Sequence, residues 1–382
     1  MDFDLSEEQR MLKDSVDRLV ADKYDFEARK KYLKGEHGFS PEIWAQFAEL
    51  GLLALPFAEA DGGFGGGPVE TMIVMESLGK ALAVEPYLAT VVLSGGLLRH
   101  AASDEQRATF APMIAGGEKL FAFAHHERPA RYNLAHVAAS ARKDGDGYVL
   151  NGEKSLVLNG DAANYLIVSA RVSGGPRDRD GIGLFLVDAK APGVSRRGYW
   201  NQDATRSAEI SFADVKVEAG HVLGEPGKAL PAIERVTDEA IAALCAQAVG
   251  AMAESHKQTV EYLKTRKQFG VTIGSFQALQ HRAVEMFVFV EQARSITMYA
   301  TMMASENDAK ERARAMSAAK VQVGKSVRFV GQQSVQLHGG VGVTYELAVG
   351  HFFKRNTMID MMFGDVEFHL ARLADMGGLI AA

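Results

Sequence analysis

Cysteine is almost missing from this sequence. Cys245 stands alone in the apolar stretch IAALCAQAV of a 382-residue chain, so no disulfide can form within it. The thiol reads as a small buried hydrophobe rather than a reactive group, and its isolation suits a reducing cytoplasm. A basic excess is missing too. The formal net charge is −6, which argues against a general nucleic-acid surface and makes any basic cluster local in purpose. No apolar run reaches the roughly 18 residues that span a bilayer, and the start, MDFDLSEEQR, is acidic with no apolar signal core. A soluble, cytoplasmic protein with no membrane span is the expectation. Three chemical signatures are absent as well. The glycine run DGGFGGG (61–67) lacks a Gly-Lys-Ser/Thr ending and a strand feeding it, so it reads as a flexible turn rather than a phosphate loop. No Gly-x-Ser-x-Gly elbow supports a serine hydrolase. The doublet in His125-His126-Glu127 does not fit His-x-x-x-His metal spacing, which leaves a structural or polar-surface role and no metal.

What is present falls into three regions. Residues 1–117 read as an N-terminal helical domain. Ser6 with Gln9 makes a capping box, Ser40-Pro41 is a second start signal, and Gly51 is a plausible stop. A third helix is expected from about Pro68 to Leu82. Residues 118–228 change texture: six β-prone runs, such as NYLIVSAR and GIGLFLVDA, alternate with turn residues. Asp144-Gly145-Asp146-Gly147 and Asn151-Gly152 read as turn signals. With no helical pattern between the runs, a barrel or sandwich is expected rather than a parallel sheet. Residues 229–382 are helical again. Leu279, Ala283, Met286, Val290, Ala293, Thr297 and Ala300 step by four and three, and Ala315, Ala319, Val323, Val327 and Val330 share a face. This spacing predicts a four-helix bundle whose seams continue into subunit contacts.

One segment poses a question: YLKTRKQFGVTIGSFQALQHR (262–282) ends a helix-like run in a basic cluster, breaks at Gly270 and restarts near Gln277. It resembles the flavin-contacting segment of acyl-CoA dehydrogenases, with Arg266, Gln268, Phe269 and Gly270 at the Arg-x-Gln/Thr-Phe-Gly core. QLHGGVGVT (336–344) resembles the same family's Gln-x-x-Gly-Gly-x-Gly segment, and RSAEISFADVKV (206–217) with LGEPGKAL (223–230) resembles its strand and exit to the bundle. The resemblance covers essentially the whole chain and implies the acyl-CoA dehydrogenase fold. That is mainly α with a central β domain: helical domain, β-barrel or sandwich, four-helix bundle. It also implies FAD as cofactor and an acyl-CoA thioester as substrate, with electron-transfer flavoprotein as electron acceptor. Arg266 can give the FAD pyrophosphate a cation and bidentate donors. Gly339 and Gly340 let the backbone approach closely. Gln277 and Gln336 offer amides, and Phe269 an aromatic face. Read without the second motif, Arg266 is equally a solvated helix-end cation favoured by the helix dipole.

In the family, as the resemblance implies, these segments hold the ADP half of a cofactor whose ring sits in the neighbouring subunit. Two patterns cradle that ring, Thr-Glu-Pro-x-x-Gly-Ser-Asp and Trp-Ile-Thr-Asn-Gly. Here the first position reads AHHERPARYNL (124–134), and the second reads LVLNG (156–160), with Leu156 and Leu158 for Trp and Thr. Leucines can pack on a ring but cannot hydrogen-bond it. The catalytic glutamate's usual positions hold Phe363, in MMFGDVEF, and Ala240, followed by Ile241 rather than arginine. Neither can take a proton, so the catalytic residue is unassigned. The nearby acids Asp238, Glu239, Asp365 and Glu367 read as surface or cap residues. The pattern resembles the small subunits of two-gene acyl-CoA dehydrogenases, of the pimeloyl-CoA dehydrogenase type, and implies an α2β2 partnership with a large subunit. A self-sufficient homotetrameric dehydrogenase or oxidase with a relocated base, and a flavin-free structural relative, are the alternatives.

Overall fold

Helices start where the sequence supplies caps. The Ser6 side chain accepts from the Gln9 N–H and the Gln9 side chain returns to Ser6, closing the box that opens α1 (Glu7–Lys23). The computed structural model describes residues 4–377. After α2 (Phe26–Tyr32), Ser40 caps α3 (Pro41–Glu49) with proline at its first turn. The glycine stretch is a turn leading into α4 (Pro68–Ala81). A π-helix, Leu88–Ser94, runs into α5 (Gly95–Ala101), and a second capping box at Ser103 opens α6 (Asp104–Ala115). The strands are β1 (Phe121–Ala124), β2 (Ser140–Asp144), β3 (Gly147–Leu158), β4 (Tyr165–Arg171), β5 (Ile182–Asp188), β6 (Val194–Trp200), β7 (Arg206–Val217) and β8 (Val222–Leu223). Then come α7 (Leu230–Thr265), the short β9 (Lys267–Gln268) and β10 (Val271–Thr272), α8 (Gln277–Met303), α9 (Ala309–His338), α10 (Ala348–Met361) and α11 (Val366–Asp375).

Two compact units cut across this order. One comprises Lys31–Gly67 and Val84–Ala240 and holds the eight-stranded sheet, in the order β6-β7-β3-β2-β4-β5-β8 with β1 beside β4. The β1–β4 and β2–β4 pairs are parallel and the rest antiparallel. Its interior is apolar, with Leu166, Val168, Phe185, Val187, Ile210 and Phe212 buried together. Two expectations need correcting. Asn151-Gly152 is no turn: it lies inside β3, where the register against β7 slips, a bulge that Gly152 accommodates at φ 137°. An added Cβ there would meet Ala139 at 2.7 Å. Strand β6 (VSRRGYW) was not anticipated, because this edge strand carries arginines and glycine where an apolar alternation would announce it.

The other unit holds the described residues up to Lys30, Pro68–Ala83 and those from Ile241 on. The seam read from the sequence is real: Met286, Val290, Ala293, Thr297 and Ala300 are buried on α8, and Ala315, Ala319, Val323, Val327 and Val330 on α9. Between these helices Phe289 and Phe329 stack at 4.4 Å. Helices α4 and α7 are pressed together at two glycines. A Cβ on Gly79 would lie 2.0 Å from Gln247 O, and one on Gly250 would lie 1.9 Å from Glu76 O. A further correction concerns α7. An 18-residue window in it is apolar enough for a membrane span, yet that window is mostly buried inside the protein, as in a core helix.

Candidate functional site

The break after α7 is a two-residue β-hairpin. Gln268 pairs with Val271 and Lys267 with Thr272, leaving Phe269 and Gly270 at the tip with φ 54° and 81°. Positive φ at both central residues is what a type I′ turn needs. Glycine reaches it freely, whereas phenylalanine does so at a cost. The Ile273 N–H donates to Arg266 O at 2.9 Å and closes the loop into α8, whose first residue is Gln277. The tip is presented outward: Phe269 is 90% exposed, with its ring edge-on to Phe276 at 6.1 Å. Gln268 is exposed and donates only to the Lys267 carbonyl. The exposed Arg266 guanidinium has no hydrogen bond or ion pair among the described residues.

The second segment starts as α9 ends. Gly339 terminates the helix at φ 64°, and a Cβ on Gly339 or Gly340 would meet nothing within 4 Å, so both present open backbone. Gln336, one turn earlier, is exposed. Because α7, α8 and α9 alternate in direction, the end of α7, the start of α8 and the end of α9 share one end of the bundle. Side chains fasten it there. Tyr262 stacks on His338 at 4.4 Å, and Arg282 donates to Gln333 at 3.1 Å. His338 is buried, its Nδ1 lies 2.8 Å from Ser334 O, and burial lowers its pKa, which keeps the stacked ring neutral. Two motifs some seventy residues apart in sequence thus meet on one surface.

The two positions where the resemblance puts the base hold no ionisable side chain. Phe363, at φ 57°, turns the chain between α10 and α11, and its carbonyl lies 3.1 Å from His369 Nε2. Buried Lys320 donates to the carbonyls of Ile359, Asp360 and Met362, closing the end of α10; burial lowers its pKa to about 8. Ala240 and Ile241 are buried on α7. The expected surface roles hold only in part. Asp365 caps α11, accepting from the Phe368 N–H at 2.9 Å, and Glu367 is exposed. Asp238 is buried, and Glu239 is a nearly buried carboxylate facing Arg99 (2.7 Å), His100 (2.7 Å) and Arg235 (3.4 Å). Burial alone would raise its pKa, but the His100 hydrogen bond and the Arg99 charge outweigh burial and hold it at about 2.

In the sheet unit, His125-His126-Glu127 is structural rather than a polar surface. Glu127 accepts from Lys154 (2.7 Å) and from the Ala138 and Ala139 N–H groups, and Lys154 also donates to Ser169 Oγ and His125 O at 3.1 Å. Lys154 is fully buried, which lowers its pKa to about 8 against the pull of Glu127. Among the described residues, no group of three or more His, Cys, Asp or Glu could hold a metal. Leu156 is half exposed at φ 52° and Leu158 is half buried. Beside Leu156 lie Tyr199, Glu209 and Arg128, which sequence reasoning missed because their positions depend on the unanticipated strand β6.

Comparison with known proteins accounts for this geometry. Three family models match in order: the acyl-CoA dehydrogenase N-terminal domain over residues 6–118, the middle domain over 122–215 and the C-terminal domain over 231–377. The probable acyl-CoA dehydrogenase YngJ of Bacillus subtilis is 29% identical, over 96% of this chain and 97% of its own. The ChsE4-ChsE5 complex from Mycobacterium tuberculosis contains a chain 26% identical at a TM-score of 0.89, with all of both chains covered. A variant of the Tcur3481-Tcur3483 steroid ACAD is 28% identical at 0.87, covering 97% of each chain. The chain therefore belongs to the acyl-CoA dehydrogenase family, whose members are FAD-dependent oxidoreductases.

Proposed function

We propose that this chain is the FAD-clamping, non-base-bearing small subunit of an α2β2 acyl-CoA dehydrogenase. It grips the ADP half of FAD, and a large subunit supplies the ring pocket and the glutamate. The observation that carries this reading is the contrast between its two half-sites. For the ADP half the residues fit. Arg266 has a guanidinium with no competing partner among the described residues, Gly339 and Gly340 offer open backbone, Gln268, Gln277 and Gln336 are exposed, and Phe269 stands clear of the surface. For the ring half and the proton transfer they do not fit, because Leu156 and Leu158 cannot hydrogen-bond and the base positions hold Phe363 and Ala240.

When bound, FAD supplies the acceptor for the hydride that leaves the acyl β-carbon. This chain's own part is binding. Arg266 would neutralise and orient the pyrophosphate, the glycine segment would donate backbone N–H groups to it, and Phe269 would offer the cofactor an aromatic face. One solved relative is the ChsE4-ChsE5 complex, and another carries the paired name Tcur3481-Tcur3483, which supports a heteromeric reading. The exposed Val284, Phe287 and Val288 on α8 give the bundle an apolar face suited to subunit contact. An acyl-CoA thioester is the substrate class, with pimeloyl-CoA or another dicarboxylyl-CoA favoured by resemblance, and electron-transfer flavoprotein as the acceptor. The rival self-sufficient enzyme needs a relocated base. Glu239, the nearest carboxylate to Ala240 in sequence, is held ionised by the Arg99 and Arg235 charges and a hydrogen bond with His100, and is a poor choice.

The test is FAD content per chain, measured on the protein expressed alone and then with an acyl-CoA dehydrogenase large subunit encoded beside it. Little flavin alone and one FAD per large–small pair is the expected result. A full flavin complement with dye-coupled activity from this chain alone would overturn the proposal.

A further inference from the structure

The outer face of the sheet beside Leu156 is filled by a bonded cluster. Strand β3 slips register against β7 between Lys154 and Val157, and Glu209 of β7 sits opposite that irregular stretch. The Tyr199 hydroxyl, from β6, donates to Glu209 Oε1 at 3.3 Å, and Arg128 Nη2 lies 3.6 Å from Glu209 Oε2. The Leu156 backbone meets the same tyrosine hydroxyl. Each carboxylate oxygen of Glu209 therefore has a partner, one from a neighbouring strand and one from the turn Arg128–Ala130. The next residue, Arg131, holds φ 49° and ψ −108°, a backbone that glycine tolerates and side-chain-bearing residues avoid. Counting from Glu127 as the Glu of the family's Thr-Glu-Pro-x-x-Gly-Ser-Asp pattern, Arg131 and Tyr132 stand at its Gly-Ser. The loop has kept a glycine-like bend and filled it with side chains.

We infer that Tyr199, Glu209 and Arg128 form a plug over the flavin-ring seat of this chain's own β domain. The chain thus excludes the ring while keeping the clamp for the ADP half; this rests on the clamp reading above. A ring entering beside Leu156 would have to break the Tyr199 and Arg128 contacts of Glu209. That would leave a carboxylate unpaired against an aromatic face, and neither Leu156 nor Leu158 offers a hydrogen bond in return. The exclusion is then an active feature of the sheet, beyond the loss of the family's ring-binding residues.

Lumiflavin, the ring without its ADP arm, separates the two half-sites. Its fluorescence quenching would be titrated on the full-length wild-type chain, on Tyr199→Ala/Glu209→Ala and on Tyr199→Phe, which keeps the ring volume. The double variant is expected to bind lumiflavin at least about tenfold more tightly than wild type, with Tyr199→Phe, which keeps the ring but loses the bond to Glu209, falling between the two. Wild type binding as tightly as the double variant would overturn the plug. So would a double variant that gains nothing while melting at the wild-type temperature. If the double variant melts early, Tyr199→Ala alone, which retains the Glu209–Arg128 pair, is read the same way. An ADP titration of wild type and Arg266→Ala on the same preparations reports the clamp independently, so failure of the clamp and failure of the plug give different results.

Discussion

Arg266, just past the end of α7, and Glu239, within it, show how differently two charged residues are used. Arg266 is exposed and has no partner among the described residues, so truncating it should leave folding within about 0.5 kcal/mol of wild type. In the complex, Arg266→Ala should remove a charge-assisted bond worth roughly 1.5–3 kcal/mol, weakening FAD retention by about tenfold to a hundredfold. Flavin absorbance after gel filtration, alongside a melting curve, checks both halves; unchanged retention would count against the clamp. Glu239 is the reverse case, a structural charge. Its folded pKa of about 2 lies below the unfolded value near ~4.3. The unfolded chain therefore binds the extra proton first, and the stabilisation is fully present above about pH 4.5 and lost as pH falls toward 2. The sum is about 3 kcal/mol. Melting temperature should fall more steeply between pH 5 and 2 in wild type than in Glu239→Gln, and parallel curves would show that the ion pairs contribute little. Neither Glu239's burial nor its two closest partners were legible in the sequence, since Arg99 and His100 lie some 140 positions away.

Among the elements, the 267–272 hairpin carries a mismatch with a purpose. A type I′ turn favours Asn-Gly, and Phe269 at φ 54° costs roughly 1–2 kcal/mol relative to a residue at ease there. On the proposed clamp, an aromatic ring kept in a strained, 90% exposed position would serve the surface it offers a cofactor rather than the fold. Phe269→Asn should slow amide exchange across Lys267–Thr272 while lowering FAD retention in the complex; faster exchange would refute the turn argument. The α4–α7 crossing makes the opposite point, since nothing marks Gly79 or Gly250 in the sequence beyond two helical glycines. With an added Cβ landing about 2 Å from backbone carbonyls, Gly250→Ala must push the helices apart. A loss of about 3 kcal/mol is expected, read as a lower denaturation midpoint at unchanged slope. Stability equal to wild type would mean the crossing has slack.

At the scale of the whole molecule, the reading predicts a division of labour between chains, with one FAD per large–small pair and no flavin ring held by this chain's β domain. Much of the architecture behind that reading could be seen beforehand. Capping boxes at Ser6 and steps of three and four along α8 and α9 are local chemistry: hydrogen bonds close within a turn, and burial follows the period of the helix. For the same reason the sequence alone determined the helical ends, the β-rich centre, the family motifs at Arg266 and Gly339-Gly340, and the missing carboxylates at Phe363 and Ala240. What needed the tertiary structure is whatever depends on distant residues sharing a place. That covers the Asn151-Gly152 bulge, set by its pairing with β7, the edge strand β6, the pairing of Glu239 with Arg99 and His100, the stacking of Tyr262 on His338 that joins the two clamp segments, and the Tyr199–Glu209–Arg128 cluster. The physical reason is common to them all. A periodic pattern reports which face of an element is buried, but the partner across a contact is chosen by packing and register, and these exist only once the chain has folded.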